Sequence, residues 1–269
     1  MSGFGRAWLA LREPADARAR DRAAQHALLP ALRHHLQGRR IHVLDLGCGT
    51  GANLRWLAPR LPAPQHWRLV DHDAALLADA AHGAHGSRAD AAPERSFEQQ
   101  DLAAGLPDLH EVDLVTAAAL LDLVSRAWLA GLVAACAARR TALLLALSYD
   151  GRIAFLPRHR DDARVRDALN RHQLRDKGFA AALGPGAAAA AGASLQRAGY
   201  RVTQVRSDWW LTRADAALHD ALIGGWADAV REQAGSGGCA WIERWHAWRL
   251  AHRAALRVGH VDLLALPPA

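Results

Sequence analysis

Nine residues, Val43-Leu-Asp-Leu-Gly-Cys-Gly-Thr-Gly51, constrain the fold more than any other part of the chain. An apolar run over 41–46 enters them and a helix-forming run over 52–60 leaves them, so they join a strand to a helix. Glycines at 47, 49 and 51 permit a sharp bend and let a ligand approach the backbone. The first turn of the following helix offers unpaired amide donors. Asp45 stands at the strand tip, placed to receive a cationic amine. Glycines alone leave two readings open, because Gly47-x-Gly49-x-x-Ala52 also satisfies a dinucleotide-binding loop. An acid two residues before the first glycine sits badly beside a pyrophosphate, and Gly51 is surplus to that pattern.

The rhythm around this loop is β-α-β-α. A helix is predicted over 15–37, ended by Gly38, with strands over 41–46, 67–70, 96–99, 113–117 and 141–148. Helices are predicted over 52–60, 74–81 and 126–138, and residues 82–95 form a loop. Such alternation gives a parallel sheet covered on both faces, with ligands at the carboxyl ends of its strands. After Ser148 the rhythm breaks. A basic helix lies within 149–183, a Gly-Pro-Gly turn follows at 184–186, then a helix over 187–198 and a strand over 200–206. A Trp-rich helical stretch over 212–253 leads to a last strand at 259–266. No internal repeat is present.

Asp45-Leu-Gly-Cys-Gly-Thr-Gly51 resembles motif I of the class I S-adenosylmethionine-dependent methyltransferases, and the likeness continues from 41 to 149. Val70-Asp71-His72-Asp73 resembles the end of the family's second strand, where an acid binds both ribose hydroxyls; Asp71 suits that role and Asp73 is the reserve. Gln100-Asp101-Leu102 resembles the turn that contacts the adenine amino group, and the segment 112–118 resembles the fourth strand, lining the methionine end. The resemblance therefore implies S-adenosyl-L-methionine as cofactor. Asp45, Gly47, Cys48, Gly49, Gly51, Asn53, Asp71, His72, Asp73, Asp101, Leu102, Thr116 and Ala117 are its expected contacts. It also implies a Rossmann-like, doubly wound α/β fold: seven mostly parallel strands, helices on both faces, and helical insertions after the fifth and sixth strands. Singly, each motif has a plainer reading: a generic turn at the glycines, a helix N-cap at Asp71, a turn start at Asp101, a packing residue at Cys48.

One domain is expected over 1–269. An N-terminal helical segment (1–38) precedes a cofactor core (39–149) and a cap (150–186). The remaining core spans 187–211 and 257–269, around a Trp-rich insertion over 212–256. Trp8 and Arg12-Glu13 are placed to fold over the cofactor as a lid. Acceptor contacts belong at the tips of the fourth to sixth strands and on the cap. These are Thr116 and Leu120 to Asp122; Ser148 to Asp150 and Arg152; Ser207 to Trp210, with Trp209 and Leu121 foremost. Within the insertion 170–179, a helix ended by Gly178 would put Asn170, Gln173 and Lys177 on one face, Lys177 or Arg175 holding an anionic group. His172, oriented by Asp176 four residues on, would be a base, and Tyr149 is the other catalytic candidate. A solvated polar helix with an ordinary salt bridge is the alternative. Trp241, Trp245 and Trp248 follow a helical stripe and read as core rather than as an aromatic pocket.

The net charge of +6 and a pI near 10 raise the possibility of a nucleic-acid partner. Against it, the charges are interspersed, and Thr116-Ala-Ala-Ala119 stands where base-methylating enzymes carry an Asn/Asp-Pro-Pro-aromatic grip. Methyl transfer to an O or N atom of a small molecule is the leading reading. An RNA or DNA methyltransferase, a non-catalytic cofactor-binding subunit and a nicotinamide-dependent oxidoreductase are the alternatives. The expected assembly is a monomer or homodimer. Three scattered cysteines, Cys48, Cys136 and Cys239, fit a reducing, cytoplasmic setting, and no apolar run is long enough for a bilayer. The His82-x-x-His85 pair lies in a small-residue loop, and no metal site is expected.

Overall fold

A computed structural model describes residues 5–83, 93–234 and 240–268. His85, most of the expected 82–95 loop and Cys239 lie outside the described residues. The predicted first helix is two. Helix α1 (Arg6–Ala27) and α2 (Leu29–Leu36) meet at Leu28, with Pro30 in the first turn of α2. Helix α1 begins nine residues before the expected start and runs through Pro14, which supplies no amide donor. Contacts made by its first three turns, described below, hold it there. Strand β1 (Ile41–Leu46), α3 (Ala52–Leu57), β2 (Gln65–Asp71) and α4 (Ala74–His82) follow as expected, with ends moved by a few residues. So do β3 (Glu94–Gln99), β4 (Leu114–Ala118) and α5 (Arg126–Arg139).

Strand β5 (Ala142–Leu156) is longer than predicted, and its second half takes up the start of the expected cap. Side chains alternate there: Ile153 and Phe155 are buried while Ala154 and Leu156 face outward. Then come α6 (Asp162–His172), α7 (Ala187–Arg197), β6 (Arg201–Arg206), a short β7 (Trp209–Leu211), α8 (Ala216–Ala234), α9 (Ala240–Ala251) and β8 (Ala255–Leu266). Among the described residues the sheet order is β3-β2-β1-β4-β5-β8-β6. These are the seven strands expected, with β7 an eighth on the far end of β8. Strands β1 to β5 are parallel, and β8 runs antiparallel to both β5 and β6.

Of the tryptophans of α8 and α9, Trp226 and Trp245 pack as core, while Trp241 and Trp248, expected there too, are half-buried. Trp226 and Trp245 each meet Phe155 of β5 edge to face, with ring centroids 5.8 Å apart. Trp248 stacks on His252 at 4.4 Å. Among the described residues no helix is long and apolar enough to cross a membrane.

Candidate functional site

The strand order reverses between β1 and β4, and the glycine loop sits at that switch point. Gly47, Gly49 and Gly51 adopt φ of 63°, 53° and 78°, a region that side chains disfavour. The space above them is already lined. A Cβ on Gly49 would lie 3.2 Å from Leu9 of α1, and one on Gly47 would lie 3.4 Å from Leu120. Beside the loop, Glu13 accepts from Arg55 Nε and Nη2 at 2.7 Å, and Arg6 pairs with Asp79 of α4. The first turns of α1 thus cover the loop. Of the expected lid residues, Glu13 touches this loop region, alongside Leu9, which is not among them; Arg12 instead pairs with Asp16 and stacks on Trp209.

Beneath the loop lies a buried polar network. Asn53 donates to Asp45 Oδ1 (2.7 Å) and to Thr116 Oγ1 (3.2 Å), and Thr116 in turn donates to the carbonyl of Leu144. Arg20, on α1 and almost wholly buried, donates to Asn53 Oδ1 at 2.9 Å and lies over the Trp56 ring. Its Nε is 3.8 Å from Asp262 of β8. Two buried carboxylates, Asp45 and Asp262, therefore face one guanidinium. Asp45 Oδ2 has no hydrogen-bond partner, and burial pushes its carboxyl up to about 7 despite the bond from Asn53 and the field of Arg20. A cation is what this spot lacks. Asn53 and Thr116, both expected as ligand contacts, are instead consumed within the network, and Ala117 is buried beside them. Arg20 and Asp262 carry no sequence signal, because neither stands in a motif.

The next strand tip resolves the choice between two acids. Asp71 Oδ2 accepts from the amide of Gly49 at 2.8 Å and Oδ1 from the amide of Asp73 at 3.0 Å, so it clamps the loop. Each carboxylate oxygen keeps a further lone pair. Asp73 is the N-cap of α4, accepting from Ala75 and Leu76. Asp73→Ala should cost about 1 kcal/mol of stability, as cap removals do, and leave cofactor affinity within twofold. A melting curve and a calorimetric titration check this; a large loss of affinity would return Asp73 to the ligand. His72 is exposed, near Asp71. Asp101 is exposed and caps its own turn through the amide of Ala103, while Leu102 is buried. Cys48 is buried, and burial raises its thiol far above the usual range, in keeping with a packing residue.

The expected acceptor residues are rearranged. Helix α6 stops at His172, so Asn170, Gln173 and Lys177 do not share a helical face, because the chain turns at Gln173 and again before Gly178. Asp176 does not reach His172 and accepts from the Gly178 amide at 2.6 Å. His172 instead places Nε2 3.0 Å from Glu232 of α8 and Nδ1 3.4 Å from Lys177, and Arg175 also joins Glu232. The Tyr149 hydroxyl donates to Asn170 at 2.8 Å, and burial pushes that phenol up, so it is no proton acceptor near neutrality. Trp209 is buried under α1, donating to Asp16. Asp150 is taken up by Arg152. Leu121 is buried in the post-β4 turn. Around Tyr149, however, four buried polar atoms have no partner: Trp8 Nε1, Asp122 Oδ1, Ser148 Oγ and His260 Nδ1. Unpaired buried groups are uncommon and call for a cause.

Residues 43–140 match a family model described as a methyltransferase domain. No curated protein matches the sequence. Among solved structures, the chain is similar to a putative methyltransferase from Bacillus halodurans C-125 (13% identity, 90% of this chain, 99% of that one, TM-score 0.52). It is less similar to the magnesium protoporphyrin IX methyltransferase of Synechocystis PCC 6803 with bound S-adenosylmethionine (12%, 99% and 86%, TM-score 0.47). The same holds for a cyclopropane synthase from Mycobacterium tuberculosis (14%, 88% and 82%, TM-score 0.46). Only the first of these bears on the fold, and the family match covers the stretch that carries the glycine loop and strands β1 to β4. Through residues 43–140 the chain matches a methyltransferase domain, and its fold is similar to that of the Bacillus halodurans protein.

Proposed function

We propose that the enzyme transfers a methyl group to an oxygen or nitrogen of a small-molecule acceptor, bound around Tyr149 between the post-β4 turn, β5, β8 and α1. The observation that carries this reading is the group of unpartnered polar atoms on Trp8, Asp122, Ser148 and His260 beside a loop fitted to the cofactor. When bound, the cofactor supplies an electrophilic methyl on a sulfonium. The chain's part is to orient and to exclude water.

Asp45 is assigned to the methionine ammonium, which would complete the charge balance against Asp262 and Arg20. Asp71 is assigned to the ribose hydroxyls through its free lone pairs, and Asp101 to the adenine edge. The amides of the glycine loop face the nucleoside. Buried His260 is held neutral, its nitrogen pushed down to about 3 by burial and by Arg12, so it can accept a hydrogen bond without adding charge. Lys177 borders this region and is the candidate for an anionic group on the acceptor.

A cationic ligand requires Asp45 ionised. Affinity for the cofactor should therefore rise, by up to about tenfold per pH unit, as pH increases toward 7, and flatten above it. Asp45→Asn should weaken binding and remove this slope, which calorimetry at several pH values would read. The acceptor reading is tested by incubating the protein with methyl-labelled cofactor and a fractionated metabolite extract. Label on an O or N atom of a small molecule is expected. Label confined to tRNA or rRNA, or found on carbon, would overturn it.

A further inference from the structure

We propose that Asp122 is the catalytic base, accepting the proton of the acceptor through Oδ1, and that the acceptor accordingly reacts through an O–H or N–H group. This rests on the methyl-transfer reading given above and adds the proton's destination. After β4 the chain bends at Ala119 (φ 55°), whose amide donates to Ala146 of β5, and Leu120 closes a turn with Leu123. That turn carries Leu120 against the glycine bend, 3.4 Å from where a Gly47 Cβ would stand. Two residues on, Asp122 lies at the junction of the loop region and the Tyr149 region. Its own carbonyl is fixed by the Gly184 amide at 2.9 Å. The side chain is 8% exposed, and Oδ1 is buried without a partner. A carboxylate held so is either an unexplained cost or an acceptor waiting for a donor.

The charged and titratable groups that face it come from three elements: Arg12 on α1, the Tyr149 phenol on β5, and Lys177 on the segment after α6; the backbone amides of Asp122 and Tyr149 also bond the carboxyl, leaving Oδ1 open. Tyr149 is occupied with Asn170, and its phenol, pushed up by burial, stays protonated near neutrality and cannot take a further proton. His172, the other candidate, has both ring nitrogens engaged, by Glu232 and Lys177. Burial pushes the Asp122 carboxyl up to about 6, and the backbone amides of Asp122 and Tyr149, with Arg12 and Lys177, keep it from rising further, which suits a base working near neutrality. In the step, the acceptor's lone pair forms the bond to the methyl carbon. The carbon–sulfur bond breaks with its electron pair left on sulfur, and the acceptor's proton passes to Oδ1. The proton leaves to water on product release.

The test uses the full chain, S-adenosylmethionine with a labelled methyl, and fractionated metabolite extract as acceptor source. At saturating cofactor, wild-type transfer should rise with one ionisation near pH 6 and then level. Asp122→Asn should lose 10²–10⁴-fold in rate, as general-base removal does, and lose that limb, while its calorimetric Kd for the cofactor stays within about twofold. Asp122→Glu should recover part of the rate with a displaced limb. Independently of turnover, carbon-13 NMR of aspartate carboxyls should show a resonance titrating near pH 6 that Asp122→Asn removes. Near-wild-type rate with the same limb in Asp122→Asn would overturn the proposal, as would the absence of any such titrating carboxyl in the wild type. Should Asp122→Asn not fold, the wild-type NMR titration and Asp122→Glu still decide. Wild-type protein that binds cofactor yet labels no small molecule refutes the acceptor reading instead, a result distinct from either.

Discussion

Asp71→Asn should weaken cofactor binding by about 30- to 1000-fold while the protein stays folded. Asp71 is the one side chain that both shapes the glycine bend and stands where the ribose is expected. Its two oxygens accept from the amides of Gly49 and Asp73 at 2.8 and 3.0 Å. An amide side chain can present only one oxygen, so one of these donors would face another donor. The loop would lose its clamp and the ribose its charged acceptor. Hydrogen bonds to charged groups contribute about 1.5–3 kcal/mol each, and each 1.4 kcal/mol is tenfold in Kd. The readout is calorimetry with S-adenosylmethionine, accompanied by a melting curve. A Kd within threefold of wild type would show that Asp71 serves the loop alone, and the ribose would then need another partner.

That Asp71 could be singled out at all, though not its clamp on Gly49, reflects where the information lies. The loop, its two flanking acids and the parallel strands are local features: each is set by residues within about ten positions, and periodicity and glycine spacing report them. The cap failed for the opposite reason. Residues 149–156 look like the start of an insertion because Asp150-Gly-Arg interrupts the apolar run, yet they remain in β5 by pairing with β8, a hundred residues away. The alternation of Ile153 and Phe155 against Ala154 and Leu156 was legible as a strand, but only β8 makes it one. Asp176 shows the limit of helical spacing. It sits four residues from His172, but α6 has already ended, and Glu232 from α8 takes the imidazole. Asp122 was visible as a residue at the tip of β4; that its Oδ1 would be enclosed without a partner depends on α1, β5 and the cap closing around it.

Arg20 gives the sharpest case of a residue invisible to motif reading, and its removal should produce the largest loss of stability in the protein. In a helix rich in Arg and Ala nothing distinguishes it from its neighbours. In the fold it is the only cation hydrogen-bonded to the Asp45–Asn53–Thr116 network among the described residues, and it lies 3.8 Å from Asp262. Arg20→Met keeps much of the side-chain volume but leaves the Asn53 carbonyl without this donor and Asp262, whose Oδ1 still accepts from Leu147 and Ser207, without its facing cation. Breaking a buried pair from one side costs about 3–5 kcal/mol, which denaturant melts would register. Adding Asp262→Asn should restore part of that loss, since the residual cost is an unpaired charge rather than a cavity. The pH dependence has a definite sign. Asp45 and Asp262 both have folded values raised above the unfolded carboxyl by burial, so the native state holds protons that the unfolded chain releases. Their contribution is therefore greatest below the unfolded value near 4 and declines as pH rises, for Asp45 through about 7. Without Arg20 both carboxyls should rise further. The gap between Arg20→Met and wild type should then widen from pH 6 to pH 8, and a gap independent of pH would mean that Arg20 stabilises through its stacking on Trp56 instead.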